Sequence, residues 1–346
     1  MKRVTVRDIA RQLNIAQGTV SKALGNKAGV SPELRQTVLK AAEEMGYTAN
    51  HLAQAMARAP VRIGIIMPKI WPNYYGAIMD GIRESLQMYS DYRIEVMYHY
   101  LPNLRAEEAL KQCINSCIDD GVKVIILSAS FNSTCVEYLN VLKEKGIKLV
   151  LLGTDLPGSN RDSCVQIHAV KAGMLAGEFA DLVMKHSRKT AILIGSRQMM
   201  EHEEKIQGFV SVMKETKGEI IGIYETQDIP EIAEIIARKI YAETPDLELI
   251  YIATSNSVAV CKVLESCDPE QRIRIIATDV FDELIPYIHN GRVIASINQD
   301  LRRMGVLAVE QSYKLLFKNE ECVENIKIEP ILMLRTNILN DSELIG

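Results

Sequence analysis

Gln17, Gly18, Thr19, Ser21 and Lys22 form one polar face of the stretch IAQGTVSKAL (15–24), while Val20, Ala23 and Leu24 share the other. Amide, hydroxyl and ammonium groups of this kind bond to base edges and phosphates. Glycine costs a helix interior about 1 kcal/mol relative to alanine. Gly18 therefore predicts a surface shaped for close approach rather than for helix stability. A second set of chemistry-bearing residues lies at the ends of apolar runs further along. Trp71, Tyr74 and Tyr75 follow RIGIIMP, Ser128 and Ser130 follow VKVIIL, and Thr254, Ser255 and Asn256 follow LELIYIA. Asp279 follows RIRIIAT, and Gln299 and Asp300 follow VIASIN. Ring faces that stack on C–H groups, with carboxylates and amides that bond hydroxyls, suit a hydroxylated small molecule.

Catalytic patterns are missing. The sequence has no G-x-x-x-x-G-K-[ST], G-x-G-x-x-G or G-x-S-x-G, so phosphate cradles and nucleophile elbows have no candidate. The six histidines (51, 99, 168, 186, 202 and 289) show no metal-ligand spacing, and His202 beside Glu201, Glu203 and Glu204 reads as a solvated helix start. Seven scattered cysteines read as free thiols. Cys113 and Cys117 share a helix face, but no second pair completes a zinc site. The expectation is a non-enzyme with no cofactor and no metal.

The elements that must position these groups fall into two kinds. Thr5 and Asp8 make a capping-box pattern before Val6, Ile9, Ala10 and Leu13, an apolar stripe of helical spacing. Asn14 suits a left-handed helix stop, and the QGTVSKAL helix follows after a tight turn. Ser31-Pro32 opens a third helix carrying Leu34, Val38, Ala41, Ala42 and Met45, with Gly46 after it. Three short helices around one small core, two of them joined by a tight turn, describe a helix-turn-helix. From residue 62 short apolar runs alternate with helix-length segments: RIGIIMP, RIEVMYH, VKVIILS and KLVLLG, then TAILIG, EIIGIY, LELIYIA, RIRIIAT and VIASIN. That alternation predicts two doubly wound parallel sheets, whose ligands sit beyond the carboxyl ends of the strands.

Charge follows the same division. Residues 1–60 hold nine Lys and Arg against four acids, +5, whereas the chain of 346 residues has a net charge of −4. A basic module on an acidic body suggests a polyanion partner for the first sixty residues alone. No run of about 18 apolar residues suggests a membrane span, and MKRVTVRDIARQL lacks the apolar core of a signal peptide. The cytoplasm is the expected location.

The segments VTVRDIARQLNIAQGTVSKAL, GVSPELRQTVLKAAEEMGYTAN and HLAQAMA resemble the headpiece of the lactose-repressor (LacI) family of bacterial transcription regulators. The resemblance implies that Gln17, Gly18 and Lys22 read bases, that Thr19 and Ser21 hold phosphates, and that Thr5 also lies at the DNA. Residues 50–59, NHLAQAMARA, resemble the family's hinge helix, which implies DNA contacts from Asn50, Ala53 and Met56, the last as a minor-groove wedge. Two departures stand out: Ala16 replaces the usual serine cap, and Lys22 replaces an arginine. The body, through IGIIMPKIWPNYYGAIMDGI, KAGMLAGEFA, EKIQGFVSVM, IIATDV and SINQDLRRMGVLAVE, resembles the family's effector domain, shared with periplasmic sugar-binding proteins. That likeness implies ligand contacts from Tyr74, Tyr75, Asp279 and Gln299, with two departures: Lys205 stands where the family has an arginine, and Thr254 and Ser255 replace an Asn-Asp pair. With Trp71 and Ser130 from the strand ends, Lys205 and Thr254 complete the expected effector site.

The expected organisation is a headpiece over 1–48, a hinge over 49–60 and an effector-binding and dimerisation domain over 61–346. Within the last, an N-subdomain is expected over 61–161 and 293–323, and a C-subdomain over 162–292 and 324–346. The expected partners are double-stranded operator DNA, a sugar-like effector and a second copy of the chain. A sugar-binding receptor or transport protein would have no use for residues 1–60. A metabolic enzyme with a fused DNA-binding arm is the remaining alternative.

Overall fold

The computed structural model describes residues 4–25, 28–45, 60–103, 106–128, 135–318 and 322–338. The chain divides into two compact units, one containing Met1–Pro60 and one containing Val61–Met88 and Ile94–Gly346. In the first unit, α1 (Val6–Leu13), α2 (Gln17–Leu24) and α3 (Pro32–Glu44) enclose a core of Ile9, Ala10, Val20, Ala23, Val38, Ala41 and Ala42. Each boundary has a local cause. The Thr5 hydroxyl accepts from the Asp8 amide at 3.4 Å while the Asp8 carboxylate accepts from the Thr5 amide at 2.9 Å. Asn14 ends α1 at φ 52°, and Ser31 caps α3 ahead of Pro32. Ala16 leaves α2 without a side-chain cap, an omission that costs about 1 kcal/mol. Arg35 Nη1 donates to the Ala23 carbonyl at 3.2 Å, tying α3 to the end of α2.

The second unit holds two six-stranded sheets. The first lobe is built from β1 (Val61–Pro68), β2 (Ile94–Leu101), β3 (Val124–Leu127), β4 (Lys148–Gly153), β5 (Ser163–Ile167) and β11 (Asn325–Ile328), in the order β11-β5-β4-β3-β1-β2, all parallel. The second uses β6 (Lys189–Ile194), β7 (Glu219–Glu225), β8 (Leu249–Ile252), β9 (Arg274–Thr278), β10 (Val293–Asn298) and β12 (Ile331–Met333), in the order β12-β10-β9-β8-β6-β7. Only the β10–β12 pair in it is antiparallel. Central strands such as β3 and β8 are buried on both faces and read as unbroken apolar runs, as helix-covered parallel strands must.

The expected subdomain limits differ from the observed sheets. Strands β5 and β11, assigned by sequence to the C-subdomain, pair in the first sheet, and β10, assigned to the N-subdomain, lies in the second. β5 and β11 are short, and polar side chains interrupt them. Buried Ser163 in β5 is accommodated by donating to the Val323 carbonyl at 2.6 Å. The chain thus crosses between sheets three times: after β5, after β10 and after β11.

Helices made at the crossings are knitted to the lobe that receives them. Helix α12 (Leu301–Tyr313) packs on α4 (Pro72–Met88) of the first lobe, and α7 (Ala169–Val183) packs on α8 (Met200–Thr216) of the second. Both contacts are backbone-close. A Cβ on Gly81 would lie 1.8 Å from the Arg302 carbonyl oxygen, and one on Gly305 2.1 Å from that of Ile78. Gly173 against Lys205 and Gly208 against Val170 repeat this reciprocal device in the other lobe. Glycine is required here by space.

Candidate functional site

The strand ends of both lobes converge on one cleft, part of it open to solvent, where ligands of such sheets bind. The first lobe supplies the aromatic wall. Trp71, held at φ 46° just after β1, stacks on Tyr75 with centroids 6.1 Å apart, and Tyr74 meets Tyr75 edge-on at 5.0 Å. Burial pushes the Tyr75 hydroxyl well above its ordinary pKa, although a bond with Ser128 opposes this, so it is a neutral donor. Gly153, at φ 92° at the end of β4, leaves room beside the Tyr74 hydroxyl.

The second lobe supplies polar groups. Asp279 follows β9 at φ 57°, which turns its buried carboxylate toward the residue after β10. There the Gln299 amide nitrogen donates to Asp279 Oδ1 at 2.9 Å, and Gln299 Nε2 donates to Oδ2 at 2.7 Å. Gln299 Oε1 accepts from Lys205 Nζ at 3.1 Å, and Lys205 Nζ also meets Glu201 Oε1 at 2.5 Å. Ammonium, amide and carboxylate thus form a chain with one direction of donation. Burial drives the Asp279 carboxyl up to about 6, against the pull of the Gln299 bonds and of Lys205. Burial also pushes Glu201 up, but the Lys205 ammonium outweighs it and holds that carboxyl below its ordinary value.

A second network lies beside the first. After β7, Asp228 sits at φ 56° and accepts from the Thr254 hydroxyl. Its carboxylate rests on Gly195, where a Cβ would come within 2.1 Å of Oδ2. The Thr226 hydroxyl fixes this turn: it donates to the Ile194 carbonyl at 2.9 Å and accepts from the Asp228 amide at 3.2 Å and Asn256 Nδ2 at 3.0 Å.

Of the expected effector residues, Trp71, Tyr74, Tyr75, Lys205, Thr254, Asp279 and Gln299 all line this cleft. Ser130 lies outside the described residues. Glu201, His202 and Asp228 line it as well, and sequence reasoning missed them. The reading of Glu201 and His202 as a solvated helix start is corrected, because both are buried in the first turn of α8. His202 Nδ1 accepts from the Ser196 amide at 3.1 Å. Only Glu203 and Glu204 of that acidic run keep part of their surface in water. The available signal was the four-residue spacing of Glu201 and Lys205 on one helix face. Asp228 carried no local signal.

In the first unit, Gln17, Gly18, Ser21 and Lys22 are exposed on α2 and Thr19 is half-buried. A Cβ on Gly18 would meet nothing within 4 Å, so packing among the described residues does not call for glycine there. The Thr5 hydroxyl is engaged in its cap, donating to Asp8 Oδ2 at 2.6 Å. Asn50, Ala53 and Met56 fall outside the described residues. The seven cysteines are free. Among the described residues no cluster of His, Cys, Asp or Glu is arranged for a metal ion, and no helix is long and apolar enough to cross a membrane.

Two parallel-sheet lobes with a cleft at their strand ends, preceded by a separate helix-turn-helix unit, define a modular class of protein: a DNA-binding type of headpiece joined to a binding-protein body. Residues 63–320 match the periplasmic binding protein domain profile, and residues 5–50 match that of bacterial regulatory proteins, lacI family. The chain belongs to the lacI family of bacterial regulatory proteins, in the form built on a periplasmic binding protein domain.

Catabolite control protein A of Priestia megaterium is 24% identical over 223 residues, 62% of either chain. The regulator GalS of Salmonella typhimurium is 34% identical over 90 residues, 26% of either chain. The matches thus span less than two thirds of these curated relatives. Among solved structures, the glucose-galactose binding protein GanP from Geobacillus stearothermophilus has a TM-score of 0.73 at 21% identity, covering 81% of this chain and 99% of that one. An ABC transporter solute binding protein from Bacillus halodurans with bound myo-inositol has a TM-score of 0.71 at 16% identity, covering 81% and 96%. These two likenesses speak for the fold.

Proposed function

We propose that the protein is a transcription regulator that binds a pseudo-palindromic operator as a homodimer and is switched by a small sugar or polyol in the cleft. It acts in the cytoplasm, most simply as a repressor of a carbohydrate-utilisation operon, and performs no catalysis. The observation that carries this reading is the outward face of α2, where Gln17, Gly18, Ser21 and Lys22 stand exposed and Gly18 answers to no packing demand. A sugar receptor or a transport protein would gain nothing from such a unit. A relative named as a transcriptional regulator, GalS, is 34% identical over 90 residues.

The mechanism follows from the two units. Ring faces from the first lobe and carboxylates from the second can engage one ligand together, so ligand binding favours the closed lobes. Residues 49–60 connect the body to the headpiece, and closure changes the spacing of that segment between the two protomers. The coupling is reciprocal: if ligand weakens operator binding, operator weakens ligand binding by the same factor.

The test is a fluorescence-anisotropy titration of upstream DNA from the protein's own operon, with and without sugars. Lys22→Ala should cost about 1–3 kcal/mol on the preferred site and relax one base pair per half-site. Equal loss on random DNA would reassign Lys22 to a phosphate, and no preference of the wild type for any upstream sequence would refute the regulator reading.

A further inference from the structure

Among the described residues one lysine lines the cleft, and a carboxylate already balances its charge. Lys205 is 2% exposed and its ammonium lies 2.5 Å from Glu201 Oε1, one helical turn away on α8. Its other partner is the Gln299 carbonyl oxygen. Two of its three N–H donors are thus engaged, and Glu201 balances the charge that a phosphate or carboxylate on a ligand would need. Two further carboxylates face the same space without a direct ion pair among the described residues. Asp279 takes its hydrogen bonds from the neutral Gln299. Asp228 takes one from the neutral Thr254 hydroxyl, and among the described residues no side chain donates to its Oδ2. Opposite them stands the Trp71–Tyr75 stack, whose ring faces attract cations and repel anions.

From this arrangement we propose that the cleft selects its ligand by charge: its effector is a hydroxylated small molecule carrying a primary ammonium, an amino sugar or aminopolyol. The inference rests on the proposed sugar-responsive function and names the class of ligand within it. The ammonium supplies the counter-charge that Asp228 and Asp279 lack, while ring hydroxyls use the remaining acceptors and the rings cover the apolar face. A phosphorylated or acidic sugar would bring a negative charge into a space that already holds two unbalanced ones, in surroundings dry enough for charge to matter.

The test is isothermal titration of the intact protein at pH 7.5 and constant ionic strength, using matched sets of glucose, galactose and mannose derivatives. Each set contains the 2-amino sugar, the parent sugar, the uronate and the 6-phosphate. The tightest binder should be an amino sugar, about tenfold tighter than its parent, because hydrogen bonds to a charged donor are roughly twice as strong as neutral ones. Uronates and phosphates should not bind. Asp228→Asn should bring the ratio of amino to parent sugar close to one, and Glu201→Gln, by releasing Lys205, should admit the phosphates. A circular-dichroism melt checks that each variant folds, and if Glu201→Gln does not, the Asp228→Asn ratio decides. A parent sugar equal to or tighter than its amino counterpart, or an acid or phosphate as tightest binder, overturns the charge assignment and leaves the sugar-responsive reading standing. Absence of binding by every member of every set overturns both.

Discussion

Asp279→Asn removes the charge at the centre of the cleft and leaves its shape intact. Two opposing terms set the outcome. The first is relief of burial. Holding a carboxyl ionised in a site that raises it from 3.8 to about 6 costs the folded state about 3 kcal/mol at neutral pH, at about 1.4 kcal/mol per pH unit. The second is a lost bond. Gln299 offers two donors to Asp279, and asparagine can accept from only one of them. Turning the Gln299 amide over would face its NH2 group toward the Lys205 ammonium. The mismatch costs about 1–3 kcal/mol, so at pH 7.5 the variant should be as stable as the wild type or up to about 2 kcal/mol more so. The sign changes with acid. The folded wild type binds a proton between about pH 6 and 4 that the unfolded chain does not, so this residue's contribution to stability rises as pH falls through that window. Urea unfolding at pH 7.5 and 4.5 should therefore shift the difference between the two proteins by about 2 kcal/mol in favour of the wild type. An unchanged difference would refute the claim that this carboxyl is buried at a cost. Ligand response should be lost in the variant at both pH values.

Gly18→Ala should stabilise α2 by up to about 1 kcal/mol, since its Cβ meets open space, while weakening operator binding; a headpiece melt and an anisotropy titration read the two effects, and undiminished DNA affinity would remove the close-approach argument. Gly81→Ala should do the opposite kind of damage, because its Cβ would lie 1.8 Å from the Arg302 carbonyl oxygen; overpacking of this sort costs about 1–3 kcal/mol, measurable by urea titration. Asn73 Nδ2, after β1 of the first lobe, donates to Glu283 Oε2, after β9 of the second, at 2.9 Å in an exposed position. Asn73→Ala should barely change stability but speed ligand release a few-fold in stopped-flow measurements, and an unaltered off-rate would show that this bridge does not hold the lobes closed.

Legibility in the sequence followed the locality of the cause. Capping at Thr5 and Ser31 and the stop at Asn14 are fixed by neighbours a few residues away, so they could be read directly. The apolar strands β1, β3, β4, β6, β8 and β9 were visible because burial on both faces leaves few polar interruptions. β5, β11 and β12 were not, since all three are short, polar residues interrupt β5 and β11, and β11 and β12 join edges supplied by strands far away in the sequence. The cleft shows the same limit. Asp279, Gln299 and the aromatic cluster could be placed because each follows an apolar run, and Lys205 because a motif resemblance carried it. Asp228 joins the site through a positive φ in the turn after β7, and nothing in ETQDIP announces that. His202 and Glu201 were misread because a run of charges suggests solvent, whereas only one side of α8 faces water.

The three crossings between the sheets have a consequence for biosynthesis. Each lobe receives its last strand from the end of the described chain, β11 for the first and β12 for the second, so the first sheet is incomplete until residue 328, and the second until residue 333, has left the ribosome. The headpiece core, from Ile9 to Ala42, needs only the first few dozen residues. At about 5–20 residues per second, the interval between a finished headpiece and a finished sensor is on the order of tens of seconds. During that time a nascent chain displays the DNA-facing helix with no cleft to govern it. Under the proposed dimeric mode of binding, a headpiece that holds DNA weakly without a paired, fully folded body would keep such half-made chains off the chromosome.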